Sequence, residues 1–413
     1  MSEDNPWQGW YQDGRQSPGV PPGSAASDAQ GDRTASYPMP GYSPNSGAGG
    51  TGGAGGAGGA GGRAWPAQPP PSGIPGRAAP GLGAPRSGRR WRFWGQPGRR
   101  GRRIALVIGV AVIVLIAATA GTYFWIDGKL NRSVALPAFT GTSAGTNWLI
   151  TGSDSRQGLS RTQIDALHVG FNLGTLNSDS IMLLHMGGGT PVLISIPRDS
   201  YVPIPGHGTN KINASLAFGG PSLLIKTVES VTGLRIDHYM GIGFGGLVSV
   251  VNSVGCVRVC LPTAISDSFS GVKLSKGCHN LNGTQALAFV RDRHSFATSD
   301  LQRIQDQRAF LKSLISKATS PGVYLNPFVS FPFASTAAGS ISVDKGTGLY
   351  DLIQAAFALR NPQTGTVPIS DANFQTAAGS AVKWNTTQAL ALFNALQKDK
   401  PVPAGLLTGT KVG

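Results

Sequence analysis

The sequence predicts a layered α/β domain, a mixed central sheet sandwiched by helices, preceded by a disordered leader and one transmembrane helix. Three observations carry this reading. From residue 147 onward, strand-length apolar runs alternate with segments of helical period, the pattern of helices laid over a sheet. Residues 104–125 are 22 residues without a charge, about 33 Å as a helix and enough to cross a bilayer. Residues 1–103 are rich in Gly and Pro and poor in aliphatic side chains. Such a segment cannot bury enough apolar surface to offset its conformational entropy.

The leader carries 12 Arg against 5 acidic residues, and seven of those arginines fall between Arg89 and Arg103. The positive-inside rule therefore places 1–103 in the cytoplasm and the chain from Asp127 outside. The apolar run starts too late and is too long for a cleaved signal, so it reads as a retained anchor. Tyr123 and Trp125 suit the outer interface, and Arg99–Arg103 the inner one. The exported part, 126–413, has 23 basic and 15 acidic residues, a net charge of +8. A basic domain beside a membrane points to anionic partners: lipid headgroups, phosphates or acidic polymers. Its predicted location argues against nucleic acid.

Residues 126–146 read as a juxtamembrane connector. A strand running into a turn is expected at 147–156, and strands at 178–186, 190–196, "RIDHYMGI" and "CVRVCLP". Helices are expected at 159–171 with Ser160 as a cap, at 221–233 ended by Gly233, and over "FGGLVSVVNSVG". A short helix at 282–293 opens into an extended piece, and 299–318 is a helix with a Ser299–Gln302 capping box. At least two more helices, around 349–359 and 386–396, belong to a helical extension over 319–413.

Two motifs match chemistry without its context. "GTSAG" (141–145) resembles a nucleophile elbow, but it precedes its strand rather than following it. "GIGFGG" (241–246) follows a strand and opens a helix, but no acidic residue stands about 20 positions on. It is read as a tight turn. Of the three cysteines, Cys256 and Cys260 are four apart on an expected strand, about 13 Å and too far to bridge. Any bridge must therefore include Cys278. The His spacing of a zinc site is absent.

The polar residues gather at element ends. Asp154 and Arg156 follow one strand and Asp179 starts another; Arg198 and Asp199 follow a third, and Lys211 and Asn213 lie just beyond. In an extended "VRDR", Arg291 and Arg293 would share a side, and Arg303 and Gln307 share a helix face. Taken singly, Arg198 and Asp199 could be a surface pair in a polar turn. Together, arginines with two carboxylates suit a metal-bound pyrophosphate.

The blocks "GSDSR", "SDSIMLLH", "SIPRDSYVPIPGHGTNKINAS", "TVESVTGLRIDHY", "LNGTQALAFVRDRH" and "SDLQRIQDQRAFL" resemble, in order, the motif series of the LytR-CpsA-Psr family of cell-wall ligases. The Gly/Pro-rich leader resembles an actinobacterial member. The resemblance implies a catalytic core over 147–318 with a lipid tunnel. It implies a Mg²⁺-assisted phosphotransferase that moves a glycopolymer from a polyprenyl-pyrophosphate carrier onto peptidoglycan, releasing polyprenyl phosphate. Asp154 and Asp179 would bind Mg²⁺. Arg198, Arg291, Arg293, Arg303 and Gln307 would hold the pyrophosphate, with Lys211 in support. Asp199, or an oxygen of Asp154, would be the general base. The resemblance also implies a Cys260–Cys278 disulfide, which leaves Cys256 a free, buried thiol. Three positions depart from the family pattern: Asn177 in place of a basic residue, Gln302 in "DLQR", and Cys256 in place of a common Gly. A hydrolase of the same carrier, and a non-enzymatic wall-polymer or lipid-binding regulator, are the alternatives.

Overall fold

The computed structural model describes residues 99–156, 159, 161–167, 169, 178–292 and 299–407, with Ala166, Asp179 and Ser299–Arg303 described by backbone alone. The leader before Arg99, Ser160, Asn177, Arg293 and His294, and the side chains of the expected Ser299–Gln302 capping box, lie outside that description. Residues 104–407 belong to one compact unit.

In chain order come α1 (Arg99–Asp127), β1 (Asn131–Val134), β2 (Thr146–Ser153), α2 (Arg161–Ala166), β3 (Ser178–Met186) and β4 (Val192–Ile196). Next are β5 (Tyr201–Ile204), β6 (Gly208–Lys211), α3 (Ala214–Thr232), β7 (His238–Ile242), α4 (Phe244–Val254) and β8 (Val257–Leu261). Then follow β9 (Ile265–Asp267), β10 (Val272–Leu274), β11 (Gly277–Leu281), α5 (Gly283–Val290) and α6 (Ser299–Ala318). After a helical turn at Pro321–Tyr324, the chain forms α7 (Pro327–Ser340), β12 (Ile341–Asp344), α8 (Leu349–Ala358) and β13 (Gln363–Thr366). It closes with β14 (Ile369–Thr376), β15 (Gly379–Trp384) and α9 (Thr386–Gln397).

Seven strands form one mixed sheet in the order β1-β12-β7-β2-β3-β4-β13. Its central strands are buried on both faces, which is why they read as nearly unbroken apolar runs. Leu149, Ile181, Leu183, Ile194 and Tyr239 face α3 and α9, through Leu224, Val228, Leu392 and Phe393. Trp148, Ile150, Met182, Leu184 and Met240 face α6 and α8, through Leu311, Ile315, Leu352 and Ala355. Cys260 and Cys278 stand opposite each other on β8 and β11 and are joined by a disulfide.

Several expectations need correction. Residues 319–413 are not a helical extension, because β12 and β13 from this stretch complete the central sheet. The stretch 126–146 is not only a connector, since its β1 pairs with β12. These strands have only four residues each, too few to show a period. The helix expected at 159–171 is described over Arg161–Ala166. The one expected at 221–233 begins at Ala214 and is kinked at Gly219–Gly220, with Gly220 at φ 65° ahead of Pro221. Gly233, at φ 68°, ends it as read. "GIGFGG" is a tight turn as read, with Gly243 alone between β7 and α4, and Gly246 also serves a close approach: a Cβ there would lie 2.4 Å from the Ser340 carbonyl oxygen. Cys256 is half-buried rather than buried, and sits at φ 69°.

Helix α1 is long and apolar enough to cross a membrane. Its last turn docks onto the domain. Trp125 stacks on Phe331 at 5.1 Å, and the Asp127 carboxylate accepts hydrogen bonds from the Leu349 N–H (2.8 Å) and from Arg132 (2.7 Å).

Candidate active site

Strands β2, β7 and β4 run in one sense, so their carboxyl ends lie along one edge of the sheet. Ligands of α/β sheets bind at that edge. Asp154 follows β2 directly. In the β2–β3 ladder Gly152 pairs with Ser180 and Ser153 with Ser178, so Asp179 is the extra residue of a bulge. Both aspartates therefore stand at adjoining strand ends. Among the described residues no group of three or more His, Cys, Asp or Glu is placed to hold a metal. A pair of aspartates is a donor set that would suit Mg²⁺, a hard cation bound through one or two carboxylates while phosphate oxygens and water complete its shell.

The turn after β4 is pinned. The Ser200 hydroxyl donates to the Pro197 carbonyl (2.7 Å) and accepts from the Trp384 indole N–H (2.8 Å). The β5–β6 hairpin then returns Lys211 opposite Tyr201. The Ile212 N–H donates to Ser200 and the Asn213 N–H to Arg198. Across this junction the Asp199 carboxylate accepts from Arg198 Nε at 3.2 Å and lies 3.2 Å from Lys211 Nζ. The pairing that could have been only a surface turn is present, and Lys211 makes it a three-charge cluster at the strand end.

Arg291 is not in an extended segment. It is the C-cap of α5, at φ −95° and ψ −7°. The extended conformation expected of "VRDR" therefore does not hold at Arg291. The Arg291 guanidinium lies 5.2 Å from the Phe244 ring centre and donates to the Leu167 carbonyl at 3.2 Å. Gln307 is buried and donates to the Val290 carbonyl at 3.3 Å. Arg303 stands one turn earlier on α6. Arg308, also buried, donates to the Thr366 hydroxyl at 2.9 Å and ties α6 to β13.

Beside these groups lies a cavity of about 340 Å³. Ser153, Ser180, Arg291 and Gln307 give it a polar margin, and the rest of its wall is almost wholly apolar. Much of that wall is Phe333, Ala334 and Ala337 of α7 with Leu352, Ile353 and Ala356 of α8. Sequence reasoning missed these residues. Their signal was present as small and large apolar positions at helical spacing, but such a stripe reads equally well as ordinary core. An apolar cavity with a guanidinium, an amide and hydroxyl groups at its margin suits an amphiphile with an anionic head.

Residues 124–390 match the model of the LytR_cpsA_psr family. The chain belongs to this family. The "Probable cell wall biosynthesis protein LcpB" of Corynebacterium glutamicum is 44% identical over 298 residues, covering 71% of this chain and 70% of LcpB. The Bacillus subtilis TagT, named as a polyisoprenyl-teichoic acid–peptidoglycan teichoic acid transferase, is 39% identical over 137 residues, covering 32% of this chain and 42% of TagT. A LytR-Csp2A-Psr enzyme from Actinomyces oris shares the fold, with a TM-score of 0.52 at 22% identity, over 65% of this chain and 96% of that one. The blocks that resemble the family's motifs thus fall on both strands and helices of this structure. Asp154, Arg198, Asp199 and Lys211 border one edge of the mixed sheet at strand ends and turns. Arg291 and Gln307 border the cavity.

Proposed function

We propose that this LytR_cpsA_psr member is a membrane-anchored transferase, which attaches a glycopolymer from a polyprenyl-pyrophosphate carrier to peptidoglycan. The observation that carries the reading is the apolar cavity margined by Arg291 and Gln307 at the sheet edge that bears Asp154 and Asp179. The polyprenyl chain occupies the cavity and its pyrophosphate lies at the polar margin. Arg198, Arg291, Arg293 and Arg303 bind phosphate oxygens as planar forks, with Gln307 and Lys211 in support. Asp199 orients Arg198 and Lys211 through the contacts described above. A sugar hydroxyl of peptidoglycan attacks the phosphorus that bears the glycopolymer. The new O–P bond forms as the bridging P–O bond breaks. The electron pair leaves with polyprenyl phosphate, and the hydroxyl proton passes to a carboxylate, Asp199 or Asp154. Bound at Asp154 and Asp179, Mg²⁺ supplies neutralisation of the phosphate charge. Removing Mg²⁺ with a chelator should abolish transfer. The arginine-rich leader is cytoplasmic and the folded domain lies outside.

The test uses the full chain in vesicles with lipid-linked glycopolymer and peptidoglycan. Wild type should yield glycopolymer bound to peptidoglycan, and Asp154→Asn should lower the yield at least tenfold. Free glycopolymer as the main product would make the protein a hydrolase. No turnover of the carrier by wild type would sink both enzymatic readings.

A further inference from the structure

Two helices next to the membrane anchor carry large apolar side chains on their solvent faces. On α7 and the turn before it, Leu325 is 70% exposed, Phe328 87% and Phe331 40%. On α8, Tyr350, Ile353 and Phe357 are 62%, 43% and 54% exposed. Their i, i+3, i+7 spacing puts them on one face, while Ala355 and Leu359 pack inward. A soluble surface rarely gathers such residues unless something covers them.

The position of α1 indicates what covers them. Ile126 and Leu130, at and just beyond its end, are buried in a cluster with Ala334 and Ala338 of α7 and Leu349 and Leu352 of α8. Trp125 stacks on Phe331, and Lys129 Nζ sits 3.7 Å from the Trp125 ring centre while donating to Ser335. A tryptophan with a snorkelling lysine is an interfacial anchor pair. The Asp127 cap on Leu349 makes the junction a packed joint rather than a free linker. Both helices are therefore held where α1 leaves the bilayer. Ile353 is at once exposed and part of the cavity wall, and Phe333, Ala334 and Ala337 of α7 form the wall beside it.

We propose that the exposed face of α7 and α8 sits in the outer leaflet of the phospholipid bilayer, and that the cavity opens into that leaflet between the two helices. The membrane contact stands on geometry around α1. The second half rests on the transferase reading: the carrier's chain then passes from leaflet to cavity without crossing water.

The experiment uses the full chain at one copy per phospholipid nanodisc. In a Cys256→Ser background, single cysteines at Phe328, Phe357 and Lys226 are labelled with an environment-sensitive fluorophore. Lys226 is exposed on α3, across the sheet from α8. Labels at 328 and 357 should be quenched by spin-labelled lipid and should resist aqueous iodide several-fold better than the label at 226. Equal iodide access at all three sites would overturn the proposal. So would protection that appears only with several copies per disc, which would make the face a contact between copies. No turnover is needed, so this result is independent of the transferase reading. For the entry route, Phe328→Glu with Phe357→Glu should raise KM at least tenfold for a long-chain carrier in bilayers. It should leave KM unchanged for a short-chain, water-soluble one. An equal change for both carriers would refute lateral entry.

Discussion

Glu229 on α3 is a carboxylate in the core, 5% exposed, accepting a hydrogen bond from the Ile236 N–H at 3.0 Å. Burial pushes its pKa up to about 7 from 4.5, against the pull of that bond and of Arg235. The folded state therefore holds a proton that the unfolded chain has lost, and Glu229's contribution to stability falls as pH rises from 4.5 to 7. Glu229→Gln keeps the acceptor and removes the charge. It should flatten the pH dependence of stability in this window and raise Tm at pH 8 by roughly 5 °C; identical profiles for variant and wild type would refute the account. Arg198 offers a second test. Without it Asp199 keeps Lys211, so ligand-free stability of Arg198→Ala should move by no more than about 1 kcal/mol. Transfer should fall at least tenfold, and Arg198→Lys should also lose activity because the planar fork is gone. A large drop in Tm would make Arg198 chiefly structural. The sequence placed Arg198 and Asp199 at a strand end because an apolar run stops at Pro197. It could not show that Lys211 meets Asp199, since that contact depends on the register of the β5–β6 hairpin.

At the scale of elements, long apolar strands and capped helices were legible, and short edge strands and helix ends were not. Asn282 and Gln285 start α5 with a reciprocal capping box, but no glycine marks where it stops. Arg291 was thus read as extended although it closes the helix. The β8–β11 ladder makes two expectations concrete. Thiol counting on the denatured, non-reduced chain should give one free thiol, Cys256, and a count of three would refute the bridge. Loss of the bridge should destabilise the domain by about 3 kcal/mol, the loop-closure value for a separation of 18 residues. Cys256 sits at φ 69°, in the left-handed region where glycine has no steric penalty. A glycine would adopt that angle without strain, so Cys256→Gly should leave Tm unchanged or raise it.

At the scale of the molecule, the positive charge before Ile104 predicts the topology. A reporter active only outside the cytoplasm, fused after Gly413, should be active, and an inactive fusion beside an active N-terminal one would reverse it. The motif blocks located the sheet edge that carries the candidate site, yet they end at Leu311 and say nothing of what completes the fold. β12 joins β7 to the edge strand β1, and β13 forms the other edge beside β4, so residues past 340 complete the sheet on both sides. A chain ending at Ala318 would retain every block of the family pattern and still leave β7 and β4 as bare edges, ready to pair with other chains.

The same arrangement sets a schedule. β2 is made early and β13 some 220 residues later, on the order of 10–40 s at ordinary synthesis rates of 5–20 residues per second. Until β12 and β13 emerge, the outer sides of β7 and β4 have no strand of this chain to pair with. A protein built this way depends on being shielded while it emerges. Ribosome stalling late in the message should therefore be far more damaging to its yield than stalling in the leader.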